Sequence, residues 1–170
     1  IPLHGKIVQR SKFPPADLLA DLSIEPLEVP TLTLEELAAG KFTALVSRFA
    51  ARDAFDVFNL LNERPNLLHD VNFRLAFICY VAASRTDIRE IKPSAYTLDE
   101  REVKDKLIPL LQQPGEKDHV LLSDLTHQLK STVVSAIAEV TKFTNLEMTF
   151  LNSFLEDGEI KACLLYTSPS

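Results

Sequence analysis

The sequence predicts an all-α protein: its glycine content excludes other folds, and its leucine content favours packed helices. It has only 4 glycines in 170 residues, about 2% against a usual ~7%. It has 27 leucines but no tryptophan and only 3 tyrosines, a composition typical of packed helices rather than of strand-rich sandwiches. The glycines are also solitary, so the closely spaced glycines of P-loops and dinucleotide-binding turns are missing, and both of these folds are excluded.

Proline divides the chain into a lead-in and a helical part. Residues 1–32 contain five prolines, at positions 2, 14, 15, 26 and 30, which leaves room only for a brief helix around residues 16–22. We therefore expect residues 1–32 to be a proline-rich linker or extended lead-in, and residues 33–162 to form a helical-repeat domain. Because the chain lacks an initiator methionine, its N-terminus is expected to be truncated.

Capping signals and apolar spacing place the helices. Thr33 is followed three residues later by Glu36, the spacing of a capping box, and Thr97 repeats the pattern. Asp53 and Asp70 are predicted N-caps. The first expected helix runs from the Thr33 cap to a stop at Gly40, and the next three cover residues 42–51, 54–63 and 71–83. A fifth runs from the Thr97 cap to Leu111, with a kink or an early end at Pro109. The last two run from Ser123 or Asp124 to Lys142 and from an Asn145 cap to Gly158.

A sequence pattern that occurs twice in the chain indicates helical hairpins that stack on one another. The elements Ala44-Leu45-Val46, Asp53 and Phe58 recur 92 residues later as Ala136-Ile137-Ala138, Asn145 and Phe150. Half of that offset lies within the period of HEAT and armadillo repeats, and the short connections favour antiparallel neighbours. We therefore predict antiparallel helical hairpins of an α-solenoid fragment, with a closed helical bundle as the alternative.

The C-terminal octapeptide and the cysteines bear on the native extent of the chain. Residues 163–170, CLLYTSPS, resemble the translation of a sequencing adapter of the kind found at the ends of metagenomic reads, and we expect them to be non-native. Cys79 is then the single native cysteine. Its apolar neighbours predict a core residue rather than a nucleophile, and the apolar run 75–83 is too short to span a membrane. With no Asn-x-Ser/Thr site, we expect an intracellular protein.

No catalytic, metal-binding or cofactor-binding constellation is found in the sequence. The four histidines lack ligand spacing. Ser123, Asp124 and His127 resemble a triad only superficially, because the start of one helix supplies neither a strained nucleophile nor an oxyanion hole. Carboxylates at residues 99–102 lie at a helix N-terminus, where the macrodipole favours them. The sequence therefore predicts no catalytic residues, no metal, no cofactor and no evident small-molecule substrate.

Two segments resemble the hairpins of a known group of proteins. Residues 44–61, ALVSRFAARDAFDVFNLL, and residues 135–155 are similar in apolar spacing to organellar helical-repeat proteins, the FAST-kinase-like, RAP-domain and octotricopeptide group. The resemblance implies an RNA-associated solenoid in a mitochondrion or plastid. The terminal RAP domain of that group is not visible in this sequence.

Charge favours a protein partner alongside RNA. Residues 53–162 carry 12 basic and 18 acidic side chains, a net charge of −6, whereas a groove for single-stranded RNA is normally positive. Arg48 and Arg52, four apart at the end of one predicted helix, are the candidate partner-binding residues. The leading hypothesis is a non-enzymatic helical scaffold that binds a protein or single-stranded RNA, with no membrane partner. The alternative is a helical accessory domain of a larger enzyme whose catalytic part lies outside this chain.

Overall fold

The computed structural model describes residues 9–13, 27–84, 86–111 and 122–166. Within these ranges, helices build both hydrophobic cores, which confirms the all-α class. The helices are α1 (Leu34–Arg48), α2 (Ala51–Glu63), α3 (Val71–Ala82), α4 (residues 100–111), α5 (Leu122–Val140), α6 (Asn145–Asp157) and α7 (Cys163–Tyr166). Short 3-10 turns at Leu67–His69, Ile88–Glu90 and Pro93–Ala95 lie in the connections.

A short antiparallel sheet lies in the segment that the sequence predicts to be a lead-in. Strand β1 (Gln9–Phe13) pairs with β2 (Leu27–Thr31), with Gln9 opposite Thr31 and Phe13 opposite Leu27. Proline content alone does not predict these strands. Pro30 lies in β2 opposite Arg10, and both strands of a two-stranded sheet are edge strands, the kind of strand in which proline is found. The brief helix expected around residues 16–22 lies outside the described residues.

Helix α1 begins at the predicted cap but runs past the predicted stop. Thr33 Oγ1 accepts a hydrogen bond from the Glu36 N–H at 3.2 Å. The Glu36 carboxylate accepts from the Tyr80 hydroxyl at 2.8 Å instead of closing the capping box. The prediction that Gly40 ends the helix is wrong, since α1 continues for two more turns and stops at Phe49. A helical glycine costs only about 1 kcal/mol, which the buried residues on either side of it offset.

Helix α2 starts earlier than the sequence predicts. Its N-cap is Ala50, and Asp53 lies in the first turn rather than at the cap. Asp53 pairs with Arg48 instead, so a tertiary contact prevails over its local capping preference. Arg48 and Arg52 consequently lie on different helices, and the prediction that they share one helix is wrong. Helix α2 ends before Pro65, as predicted.

Helix α3 has the predicted cap and a largely apolar surface. Asp70 Oδ1 accepts hydrogen bonds from the backbone N–H groups of Asn72 at 2.8 Å and Phe73 at 3.1 Å. The helix packs against α1, where the rings of Phe42 and Phe73 meet edge to face with centroids 5.1 Å apart. Cys79 is half-buried against the core, and burial raises the pKa of its thiol. This environment agrees with the core role predicted for Cys79 and keeps it in the weakly nucleophilic thiol form.

Helix α4 contains a π-helical stretch. Asp99 rather than Thr97 is its N-cap, so the second predicted capping box is wrong. Residues Val103–Leu107 are π-helical, between α-helical ends. Pro109 explains the widened turn, because its ring lacks an N–H and crowds the carbonyl four residues earlier. The helix accommodates Pro109 in this way and continues to Leu111, without the early end that was one of the two expected outcomes.

Helices α5 and α6 follow each other closely, joined by residues 141–144. The caps predicted for α5, Ser123 and Asp124, lie within its first turn. Thr144 caps α6 through a reciprocal capping box: its hydroxyl accepts from the Glu147 N–H at 3.3 Å, and the Glu147 carboxylate accepts from the Thr144 N–H at 2.7 Å. The predicted Asn145 cap is therefore wrong by one residue.

The chain beyond α6 returns to the core. Gly158 ends α6 as predicted, with the left-handed backbone (φ 69°) that glycine adopts without steric cost. Helix α7 follows, and its Leu165 is buried against the main core. The proposal that residues 163–170 are non-native stays a prediction.

Two hydrophobic cores hold the helices together. Helix α1 packs against α2 and α3, α2 packs against α5 and α4, and α3 packs against α6. The larger core lies among α1, α3, α5 and α6 and contains Phe42, Phe73, Phe77, Ile137 and Leu151. The smaller core consists of Ala51, Val103, Leu107 and Leu129. It joins the first turn of α2 to the π-helical stretch and to α5.

Arg74 links α3 to α5 and α6. Its Nε and Nη2 donate to the two Glu147 carboxylate oxygens at 2.8 and 3.0 Å. Nη1 donates to the Val140 carbonyl at 2.6 Å, and Nη2 also donates to the Lys142 carbonyl at 2.9 Å. The guanidinium carbon lies 5.1 Å from the centroid of the Phe143 ring. One side chain thus satisfies carbonyls at the end of α5 and holds the carboxylate that caps α6.

The Glu147 carboxylate is stabilised in its charged form by these contacts. Burial by itself would raise the pKa of Glu147, but the hydrogen bonds from Arg74 and Thr144 outweigh burial and leave that pKa lowered. The pair is therefore an ion pair at neutral pH, and removing either partner leaves a largely buried charge behind.

We expect Arg74→Ala to lower the free energy of unfolding by about 3 kcal/mol, because Glu147 loses its counter-ion and two carbonyls lose their donor. Arg64→Ala is the matched control. Arg64 makes an exposed 3.4 Å pair with Glu35, which contributes less than about 1 kcal/mol. Urea denaturation of both variants measures the difference, and equal losses would contradict the role given to Arg74.

Candidate functional site

Four charged side chains form two ion pairs across the α1–α2 turn. Lys41 Nζ lies 2.6 Å from Asp56 Oδ2. Arg48 Nε and Nη2 lie 3.1 and 2.7 Å from the two carboxylate oxygens of Asp53. The two cations are seven residues apart on α1 and the two carboxylates three apart on α2, so each pair of like residues shares a helix face. We call these four residues the α1–α2 charge cluster.

Cation and carboxylate differ sharply in exposure in the Arg48 pair. The Arg48 side chain is 64% exposed, whereas the Asp53 side chain is 8% exposed. Lys41 and Asp56 are both partly exposed. The Arg48 guanidinium therefore has solvent on one side and a buried carboxylate on the other. A planar guanidinium in this position can contact a second anion, because its fork geometry matches phosphate as well as carboxylate.

The α1–α2 turn is held in an unusual backbone conformation. Phe49 adopts the left-handed region (φ 54°), which costs a non-glycine residue about 1–2 kcal/mol. Its ring packs edge to face against Tyr96, with centroids 5.5 Å apart. The Ala51 N–H donates to Glu102 Oε2 at 3.3 Å. These contacts fix the direction in which α2 leaves the turn, and with it the position of Asp53.

Tyr96 lies behind this turn with its side chain buried. The residue is 1% exposed, and its hydroxyl has no hydrogen-bond partner among the described residues. Burial, followed by the negative charges of Glu102 and Asp53, raises the pKa of Tyr96 to about 12. The hydroxyl is consequently a neutral donor at physiological pH.

The two residues predicted to bind a partner have different surroundings. Arg48 belongs to the charge cluster, while Arg52 is exposed on α2. Sequence reasoning missed Lys41 and Asp56, and it assigned Asp53 to helix capping alone. The available signal was the close spacing of opposite charges on either side of a helix break. That signal is weak, because the same spacing is common on solvated helices.

Other candidate chemistries are not assembled in the part of the chain that the structure describes. No group of three or more His, Cys, Asp or Glu side chains there could hold a metal ion. Ser123, Asp124 and His127 are exposed on the first turns of α5. None of the described helices is long and apolar enough to cross a membrane.

An open groove lies between α2 and α5, away from the charge cluster. It has a volume of about 580 Å³, and its lining includes Asn62, His69, Ser131, Ser135 and Glu139. No lysine or arginine lines it. Glu139 itself is paired with Lys142, whose hydrogen bond lowers the Glu139 pKa. The groove therefore offers hydrogen-bonding groups but no cation for an anionic ligand, unlike the charge cluster.

Residues 6–132 match a known family model, described as "Nucleotidyl transferase AbiEii toxin, Type IV TA system". The match covers about three quarters of the chain. The chain belongs to the AbiEii family. No curated protein and no solved structure matches it. The match includes β1, β2, α1 to α4 and the first turns of α5, so the entire charge cluster lies within AbiEii-family sequence.

AbiEii membership overturns the predicted resemblance and the function derived from it. The likeness to organellar RAP-domain and octotricopeptide proteins is wrong, because it depended on apolar spacing that helical hairpins of many families share. The mitochondrial or plastid location and the single-stranded RNA partner were implications of that likeness and lose their support. The assignment to a helical-repeat family is likewise wrong.

The family also corrects the prediction that this protein is not an enzyme. The prediction of a non-enzymatic scaffold is wrong, because AbiEii proteins are described as nucleotidyl transferases. The alternative of an accessory domain fits poorly, since the matching residues are those of this chain rather than of sequence outside it. The predicted lack of a small-molecule substrate is not supported either, because a nucleotidyl transferase uses a nucleotide. The prediction that the chain has a protein partner is supported, since the family belongs to toxin–antitoxin systems.

We expect Arg48→Ala to destabilise the protein by about 1–3 kcal/mol, because the largely buried Asp53 loses both of its hydrogen bonds. Arg52→Ala, an exposed change on the neighbouring helix, should alter stability by less than about 0.5 kcal/mol. A double-mutant cycle with Asp53→Ala measures the coupling by thermal or urea denaturation. Additive losses for Arg48→Ala and Asp53→Ala would show that the pair is not coupled.

Proposed function

We propose that this AbiEii-family chain transfers a nucleotidyl group from a nucleoside triphosphate to an acceptor, with the α1–α2 charge cluster at the phosphates. The observation that carries the proposal is the overlap of the nucleotidyl transferase match with both helices of the cluster. Within the described residues, the cluster combines two partly exposed cations on one helix face with a rigidly held turn. This combination suits a polyphosphate, which needs fixed positive charge more than covalent chemistry from the protein.

The chemistry of nucleotidyl transfer defines what the cluster would contribute. A nucleophile on the acceptor attacks the α-phosphorus, the bond from that phosphorus to the bridging oxygen breaks, and pyrophosphate leaves with the bonding electron pair. Negative charge therefore grows on the leaving group, where preorganised cations stabilise it. Lys41 and Arg48 are separated by about 10 Å along the α1 axis. They would therefore contact different parts of an extended triphosphate.

A divalent cation commonly assists reactions of nucleoside triphosphates, and carboxylates are its usual protein ligands. Asp56 is engaged by Lys41, and both oxygens of Asp53 are engaged by Arg48. The described residues form no other carboxylate cluster with ligand geometry. These residues therefore do not fit a metal site.

The toxin description supports a further part of the proposal, a growth-arresting role. A nucleotidyl group added to an essential cellular acceptor changes the charge and shape of that acceptor and can abolish its function. The antitoxin of such a system is the protein partner to expect. The acceptor can be assigned by its chemistry once label is recovered in an RNA or a protein fraction.

Transfer is tested with the full 170-residue chain and each of the four ribonucleoside triphosphates, labelled at the α-phosphorus, in the presence of a divalent cation. RNA and protein fractions of a bacterial lysate serve as acceptors. Label incorporation and pyrophosphate release are measured together. We expect both with the wild-type chain, and Lys41→Ala should lower the rate about 100-fold, the usual effect of losing one preorganised charge-stabilising group.

Lys142→Ala is the matched control for this experiment. Lys142 forms a surface pair with Glu139 at 2.6 Å, the same distance as the Lys41–Asp56 pair, but lies outside the cluster. We expect its rate to equal that of the wild type. Absence of pyrophosphate release with every nucleotide and acceptor would overturn the proposed activity. Equal rates for Lys41→Ala and Lys142→Ala would instead overturn the assignment of the cluster.

A further inference from the structure

The two cations of the charge cluster are held by their carboxylates in different ways. Arg48 donates from Nε and Nη2 to Asp53 at 3.1 and 2.7 Å, which uses only two of the five N–H donors of a guanidinium. The Asp53 side chain is 8% exposed and the Arg48 side chain 64% exposed, so the remaining donors can face solvent. Arg48 can therefore contact a phosphate without leaving Asp53.

Lys41 has no such second side to offer. Its Nζ lies 2.6 Å from Asp56 Oδ2, and the side chains of Lys41 and Asp56 are 43% and 38% exposed. Because an ammonium is a compact point charge, an anion that approaches Lys41 from solvent also approaches Asp56. A phosphate oxygen on the same ammonium would lie within about 5 Å of the Asp56 carboxylate, where the two like charges repel. Phosphate and Asp56 therefore compete for Lys41.

The Lys41–Asp56 pair can open without disturbing the fold. Ion pairs between partly exposed side chains contribute little to stability, because water solvates both groups when they separate. Neither residue belongs to one of the two hydrophobic cores, and the lysine side chain has a flexible four-carbon stem. The Arg48–Asp53 pair differs in this respect, since its carboxylate is buried and would be left without its side-chain donors.

We propose that Asp56 is a competing anion that restrains Lys41: it holds the ammonium in the free protein, yields it to a phosphate of the bound nucleotide and takes it back when pyrophosphate leaves. This inference rests on the proposed function, which supplies the phosphate ligand. No covalent bond changes, and only the partner of the ammonium is exchanged. Asp56 acts through Lys41 and is a positioning residue that limits the affinity for nucleotide and for pyrophosphate alike.

The test replaces Asp56 by asparagine in the full chain, which removes the competing charge and keeps the shape of the side chain. Binding of the four ribonucleoside triphosphates and of inorganic pyrophosphate is measured by calorimetry at one fixed ionic strength. The dissociation constants should fall about five-fold, the effect of removing one like charge from a partly exposed site. If Asp56 instead held Lys41 in the position that phosphate needs, Asp56→Asn would bind more weakly.

Thermal denaturation of Asp56→Asn without ligand checks that the pair opens easily. The melting temperature should stay within about 3 °C of the wild type, because a partly exposed ion pair contributes little. A larger fall would show that the pair is needed to hold α1 against α2, which contradicts the proposed exchange.

Glu139→Gln is the matched control. Glu139 lies 2.6 Å from Lys142 Nζ and its side chain is 38% exposed, the same distance and exposure as for Asp56 in its pair with Lys41. Both substitutions remove one negative charge, but Glu139 lies outside the cluster. We expect Glu139→Gln to bind nucleotide and pyrophosphate with wild-type affinity.

Two further measurements separate competition for Lys41 from a general electrostatic effect. In a Lys41→Ala background, Asp56→Asn should raise the affinity less than about two-fold, because the cation for which Asp56 competes is absent. In the pyrophosphate-release assay, Asp56→Asn should lower KM without raising kcat, the pattern of a change in uniform binding. Pyrophosphate should also inhibit Asp56→Asn at a lower concentration than it inhibits the wild type.

Three binding results would overturn the inference. Unchanged or weaker binding by Asp56→Asn, with nucleotide bound by the wild type, would remove it and leave the proposed function in place. An equal gain in Glu139→Gln would show that net charge, rather than the contact with Lys41, sets the affinity. Failure of the wild-type chain to bind any of the nucleotides or pyrophosphate would remove both this inference and the proposed function.

Discussion

The relative placement of the helices depends most on the contacts that the Arg74 guanidinium makes. This guanidinium is supplied by α3, and it contacts the end of α5, the connection after it and the capping carboxylate of α6. A helix end normally leaves carbonyls without partners, and here a cation from another helix provides the donors. Because α3 also packs on α1, the Arg74 contacts tie α5 and α6 to the helix that carries Lys41 and Arg48.

The candidate site depends on parts of the chain that are distant in sequence. Its charged residues lie on α1 and α2, but Tyr96 and Glu102 come from the segment that leads into α4. The π-helical stretch in α4 contributes Val103 and Leu107 to the smaller core, which packs against Ala51 at the start of α2. A left-handed residue, a π-helical turn and an unpaired buried hydroxyl therefore occur around one turn. Such departures from regular structure concentrate at functional sites.

Local signals in the sequence predicted the features that depend on local physics. The Asp70 cap of α3 and the Gly158 stop of α6 were predicted correctly, since each involves backbone groups within a few residues. Gly40 and Asp53 were predicted wrongly. Gly40 remains helical within the packed α1. Asp53 binds Arg48 and does not cap α2. The strands β1 and β2 were missed because their pairing joins residues 14 to 22 positions apart, and no local pattern in a proline-rich segment indicates such a pairing.

Function was less accessible from the sequence than fold class. The scarcity of glycine argues against a P-loop or a dinucleotide-binding turn, but other nucleotide-binding sites need neither. Apolar spacing led to the wrong family because it reports helix packing and not chemistry. The residues that matter for the candidate site, Lys41, Asp53 and Asp56, resemble ordinary surface charges until the α1–α2 turn brings them together.

A crystal structure of the protein with a non-hydrolysable nucleoside triphosphate tests the central claim most directly, because it shows where the phosphates lie. The account predicts that Lys41 and Arg48 contact the phosphates. A nucleotide bound elsewhere, with the Arg48–Asp53 pair intact, would contradict it.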